Sequence, residues 1–162
     1  MAVGSTSDTD LTPRELPAAM AGKPPEDERR PLAPRAERLA ASDPRQGPPW
    51  ADLQLEGALR AGAALFDDGR FFDAHEAWEG AWHHAPPAER AFFQGLVHAA
   101  AACLHHQRGN AHGLGAQRGR MVARLGSFAP RHRRVDVAGL ITAVMSLRVG
   151  VDAGYPRLRL SA

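Results

Sequence analysis

Apolar side chains recur at helical spacing throughout the chain from residue 50 onward. The first such stretch ends at Gly69 and has five residues at helix spacing, Leu55, Leu59, Gly62, Leu65 and Phe66. The same periodicity predicts four more helices, over residues 70–84, 87–108, 111–125 and 136–149. No stretch alternates apolar and polar residues as a half-buried strand would. The sequence therefore predicts an all-α domain.

Proline, glycine and asparagine separate the predicted helices by short connections. Pro86 and Pro87 divide the second helix from the third, and Pro87 suits a first helical turn because no N–H group is needed there. Gly109 ends the third helix, and Asn110 is placed to cap the fourth. Short connections favour antiparallel neighbours, so we expect a small antiparallel bundle of about five helices.

The first 49 residues have a different composition. They contain nine of the 13 prolines and none of the ten Phe, Trp or Tyr residues. Without aromatic side chains, such a segment buries too little apolar surface to offset its chain entropy. We expect a disordered, proline-rich leader over residues 1–49, a helical domain over 50–153 and a loose C-terminal end over 154–162.

Composition also bears on the compartment. Cys103 is the single cysteine, which excludes an intrachain disulfide and fits a reducing environment. The first residues lack a basic start followed by an apolar run, and the longest apolar stretch is too short to span a bilayer. These features predict a cytoplasmic protein without a membrane segment.

The second predicted helix carries an unusual polar stripe. An angle of about 100° per residue places Phe71, Trp78 and Trp82 on the core face. Within about one quadrant beside that face lie two carboxylates and two imidazoles. These are His75, Glu76, Glu79 and His83.

A second stripe runs along the third predicted helix, where Gln94, His98 and His105 share a narrow arc. An antiparallel hairpin of the two helices would place Glu79 opposite Gln94 and His75 opposite His98. The two stripes would then meet inside one hairpin.

Such a site suggests metal chemistry. His75 and Glu79, four residues apart, project from one helix face, and Gln94 and His98 complete the predicted ligands. Nitrogen and oxygen ligands of this kind suit zinc, iron or manganese. An open position would bind water, with Glu76 as general base for hydrolysis of a small-molecule substrate. The run is not the zinc-protease pattern, which needs a second histidine at Glu79.

The alternative is a non-catalytic protein-interaction module. In that case the stripe is a structural hydrogen-bond network that holds two helices in register. The sequence leaves open whether the protein is an enzyme. The arginines over residues 131–134 are not accompanied by a recognised nucleic-acid motif, so nucleic acid is not expected as a partner. Exposed aromatic surface would be compatible with a homo-oligomer.

The stripe also carries a resemblance. Residues 69–79 (GRFFDAHEAWE) with Trp82, and residues 93–97 (FQGLV), are followed at suitable distances by 108–110 and 115–116. Over about residues 53–126 the chain resembles a bacterial and archaeal family catalogued as domain of unknown function 309. The resemblance implies a small all-helical fold with the His-Glu-x-x-Glu stripe as its signature, and no particular reaction or cofactor. The family usually has glutamine at the position of His98, so a site that requires His98 would not be a family property.

Overall fold

The computed structural model describes residues 48–162. The leader predicted for residues 1–49 lies outside the described residues except for its last two positions. The described part of the chain is helical, and the predicted all-α fold is confirmed. The only sheet among these residues is a two-stranded hairpin.

Five α-helices make up the body of the described chain. They are α1 (Asp52–Asp67), α2 (Phe71–His84), α3 (Pro87–Gln107), α4 (Ala111–Leu125) and α5 (Val137–Ser146). A single 3-10 turn, Gly126–Phe128, and strands β1 (Arg131–His132) and β2 (Val135–Asp136) connect α4 to α5. The predicted Asn110 cap is present, because its side chain accepts a hydrogen bond from the Gly113 amide. Helix α5 is shorter than predicted, and none of the described helices is long and apolar enough to cross a membrane.

Consecutive helices pack against each other, and α3 has neighbours on both sides. Helix α2 contacts α1 and α3, and α3 also contacts α4. Aromatic rings fill the space between α1 and α2, where Phe66 lies 4.9 Å from Phe71 and 5.7 Å from Trp78 between ring centroids. The predicted core face of α2 is confirmed at Phe71 and Trp78, which are buried, whereas Trp82 is only partly buried.

A close approach between α1 and α2 depends on Gly62. A Cβ atom at this position would overlap the buried indole of Trp78. The indole N–H donates a hydrogen bond of 3.4 Å to the carbonyl of Leu59, one turn earlier on α1. The absence of a side chain at Gly62 thus allows the N–H edge of the Trp78 indole to approach the α1 backbone.

The hairpin between α4 and α5 was not predicted. His132 pairs with Val135, which leaves Arg133 and Arg134 as a two-residue turn with φ of 44° and 68°. Such turns normally contain Asn or Gly, since other side chains rarely adopt this conformation. In this hairpin the two arginine side chains pair with carboxylates of α1 and α3.

Glu89, in the first turn of α3, accepts a 2.7 Å hydrogen bond from Nε of Arg133 and lies 3.0 Å from Nε2 of His132. Arg133 also pairs with Asp52 of α1, and Arg134 pairs with Glu56 at 3.3 Å. The guanidinium of Arg133 lies 6.0 Å from the centre of the Phe93 ring. These contacts join the hairpin to α1 and α3.

The C-terminal residues differ from the predicted loose end. Leu158 is only 2% exposed, and its amide donates a 2.5 Å hydrogen bond to Asp67 at the end of α1. Leu160 forms an antiparallel bridge with Val135, and Ser161 donates to the carbonyl of Arg134. One buried leucine among polar residues is too weak a pattern to predict this attachment.

Candidate metal site on the second helix

The local sequence fixes where α2 begins and ends. Gly69 adopts a φ of 76°, which ends α1, and Arg70 then bonds Asp73 at 2.9 Å across the first turn. Pro86 and Pro87 end α2 and begin α3. Because the buried face of α2 is fixed by Phe71 and Trp78 against α1, the orientation of the polar stripe is fixed as well.

Three side chains of the stripe come together. One nitrogen of His75 and one oxygen each of Glu76 and Glu79 all lie within 4.8 Å of one another. Nδ1 of His75 is 3.4 Å from Oε1 of Glu76 and 3.9 Å from Oε2 of Glu79. Two atoms bound about 2.1 Å from one ion in a tetrahedral site lie about 3.4 Å apart. The three donors are therefore close to the spacing that a single ion requires.

Burial differs among the three donors. Nδ1 of His75 is buried and has no hydrogen-bond partner among the described residues, although the side chain as a whole is 26% exposed. Glu76 is 55% exposed and Glu79 is half-buried. A buried nitrogen without a partner costs about 1–3 kcal/mol, and a bound cation would remove this cost.

His98 and Gln94 do not join these donors in the same way. Nδ1 of His98 lies 2.8 Å from Oε1 of Gln117, so its hydrogen-bond partner is on α4 rather than on α2. Burial lowers the pKa of His98, and the charges of Arg120, Arg124 and His75 lower it further. Gln94 is partly buried on α3, and its predicted place opposite Glu79 stays a prediction.

His83 extends the stripe toward the end of α2. Its Nε2 lies 3.8 Å from Oε1 of Glu79, and its ring stacks on Trp82 at 4.6 Å between centroids. The spacing of four residues after Glu79 already places His83 on this face of the helix. Glu79 thus has an imidazole on each side, one turn away in either direction.

The polar stripe lies apart from two surface grooves of the domain. Two grooves of about 420 Å³ and about 230 Å³ lie at α5 and the C-terminal residues, and no stripe residue lines either. Tyr155 contributes to both grooves. An ion on the stripe would be held by donors of a single helix, of which Glu76 is the most exposed.

Comparisons with known proteins give one match, to a family model. No curated protein and no solved structure matches the chain. The family match begins within α1 and ends within α4, and it includes the whole polar stripe. Residues 59–116 match the family model described as Domain of unknown function (DUF309), which supports the resemblance found in the sequence.

Proposed function

We propose that the stripe on α2 binds a divalent metal ion through His75, Glu76 and Glu79. The observation that supports this proposal best is the set of three donor atoms within 4.8 Å of one another, one of them the buried and unpartnered Nδ1 of His75. One imidazole nitrogen and two carboxylate oxygens are a ligand set for zinc, iron or manganese.

Hydrolysis of a small molecule is the reaction proposed for this centre. Three protein ligands would leave at least one position for water, and a zinc ion bound there would lower the pKa of that water to about 7. Glu76 was predicted as the general base. Its carboxylate lies 3.4 Å from Nδ1 of His75, nearer than that of Glu79 at 3.9 Å, and this distance favours Glu76 as a third ligand.

A non-catalytic interaction module remains the second candidate. The observation that favours it is the position of the two grooves, neither of which is lined by the stripe. Under this alternative the stripe would hold α2 and α3 together through hydrogen bonds. The exposure of Glu76 and the unpartnered nitrogen of His75 favour the metal site over such a network.

Metal binding is tested on the full chain, purified without a histidine tag. Zinc, manganese and, without oxygen, ferrous iron are titrated by calorimetry and thermal unfolding. A site saturated at about 100 times its dissociation constant stabilises the fold by about 2.7 kcal/mol. We expect one ion per chain, and loss of binding in both His75→Ala and Glu79→Gln.

The matched control is His112→Ala, which removes an exposed histidine of α4 and should leave metal binding unchanged. Absence of metal binding in the parent protein would refute the proposal. If His75→Ala and Glu79→Gln also unfolded more easily in that case, the stripe would hold the helices together, as the second candidate requires.

A further inference from the structure

Helix α4 presents a polar face toward the stripe side of α3. Gln117, Arg120 and Arg124 are three and seven residues apart, which places them on one face of a helix. Gln117 anchors this face to α3, because its Oε1 lies 2.8 Å from Nδ1 of His98. The polar face of α4 therefore adjoins α3 at His98.

The backbones of α3 and α4 come close at Gly95. A Cβ atom there would overlap Leu125 and would lie 3.2 Å from Cβ of Arg124. The side chain of Arg124 therefore begins next to Gly95, the residue that follows Gln94 on α3. The contact at Gly95 and the contact between His98 and Gln117, about one turn apart, fix the alignment of the two helices.

His98 belongs to α3, the helix that packs against both α2 and α4. Arg120, Arg124 and His75 are all near enough to act electrostatically on its imidazole. The guanidinium groups of Arg120 and Arg124 on α4 and the imidazole of His75 on α2 are therefore all near one side chain of α3.

These two arginines differ from those of the hairpin. Arg133 and Arg134 pair with carboxylates of α1 and α3. Arg120 and Arg124 are exposed, and no carboxylate within residues 48–162 pairs with either. Two positive charges without a carboxylate partner in this part of the chain, both near His98, favour an anionic ligand. A guanidinium group binds phosphoryl oxygens with two parallel hydrogen bonds.

We infer that His98, Arg120 and Arg124 form an anion site beside the α2 metal donors and bind the phosphoryl group of a small phosphorylated molecule. The inference rests on the proposed metal site and names the substrate class of that site. The metal ion and the guanidinium groups would bind different oxygens of one phosphoryl group.

The test uses the full chain and two separate titrations at constant ionic strength. The first measures manganese alone, and the second measures phenyl phosphate with and without saturating manganese. In Arg120→Gln/Arg124→Gln, we expect phenyl phosphate affinity to fall by about tenfold or more and manganese affinity to stay within about twofold of the parent. Manganese should strengthen phenyl phosphate binding by the parent protein.

The control is Arg131→Gln/Arg157→Gln, which removes two exposed arginines from the hairpin and the C-terminal residues and should bind both ligands as the parent does. Equal phenyl phosphate affinity in the parent and in Arg120→Gln/Arg124→Gln would overturn the inference and leave the metal site standing. An equal loss in the control variant would also overturn it, since the effect would then be one of net charge. Absence of manganese binding would overturn the proposed function, and the inference with it.

Discussion

The contact between Gly62 and Trp78 can be tested by replacing two glycines of α1 with alanine. The same substitution should have opposite effects on the free energy of unfolding at Gly57 and at Gly62. Gly57 and Gly62 both lie in α1. A Cβ atom at Gly57 would meet no heavy atom within 4 Å, whereas a Cβ atom at Gly62 would overlap the indole of Trp78. Replacing each glycine by alanine separates backbone propensity from packing.

The magnitudes follow from these surroundings. Alanine in place of an exposed helical glycine stabilises a helix by about 0.8–1 kcal/mol, so Gly57→Ala should raise the free energy of unfolding by this amount. Gly62→Ala gains the same propensity. It also forces the fully buried Trp78 away from α1, and overpacking of this kind costs about 1–3 kcal/mol. The hydrogen bond from the indole to Leu59 is lost as well, at about 1 kcal/mol. The net loss expected for Gly62→Ala is about 2 kcal/mol.

Urea denaturation followed by tryptophan fluorescence measures both variants. We expect the midpoints to shift in opposite directions, with the two unfolding free energies about 3 kcal/mol apart. The emission maximum of native Gly62→Ala should also move, because Trp78 is displaced. Equal stabilities for Gly57→Ala and Gly62→Ala would refute the close packing of α1 on α2.

Three further predictions concern other parts of the domain. Burial raises the pKa of Glu89, but hydrogen bonds from His132 and Arg133 outweigh it and hold the pKa below 4.5. Glu89→Gln should therefore cost about 2 kcal/mol near neutral pH, between the values for exposed and buried ion pairs. Urea denaturation at several pH values measures the difference in unfolding free energy between the parent and Glu89→Gln. This difference should be largest above pH 4.5 and should shrink as the pH falls further, because the carboxylate becomes protonated. A difference that does not change with pH would contradict the role of the Glu89 carboxylate. Asn110→Ala removes the cap of α4 and should lower the unfolding free energy by about 1 kcal/mol in the same assay, and an unchanged midpoint would count against the cap. Burial raises the pKa of Cys103 to about 12, so its thiol should react with a disulfide reagent only after unfolding; rapid reaction of the native protein would show that Cys103 is accessible.

The helices could be predicted because local signals and packing agree. Helix α4 was predicted with the same bounds that it has, and α2 and α3 each differ from the prediction by one residue at one end. At these ends Gly69, Pro87 and Asn110 adopt the conformation or make the hydrogen bond that their chemistry favours. Helix α5 lacks such a marker at its end, and it stops at Ser146 rather than at residue 149.

The hairpin could not be predicted because its turn has the wrong residues for a local signal. Arg133 and Arg134 adopt positive φ only at a cost, which contacts elsewhere in the fold offset. Glu89 and Glu56, which hold the two side chains, are more than 40 positions away in sequence. A pattern confined to neighbouring residues contains no trace of these contacts.

The candidate site could be predicted only in part, for a related reason. The spacing along α2 places His75, Glu76 and Glu79 together because all three belong to one helix, and a helical wheel needs no other information. The predicted ligand His98 belongs to α3. The prediction considered only the hairpin of α2 and α3, but α3 also packs against α4. Gln117 of α4 lies beside the imidazole, and Arg120 and Arg124 of the same face add their charges to this surface. The partner of an interhelical side chain thus depends on every helix that packs against its own, whereas the partner of an intrahelical one depends on spacing alone.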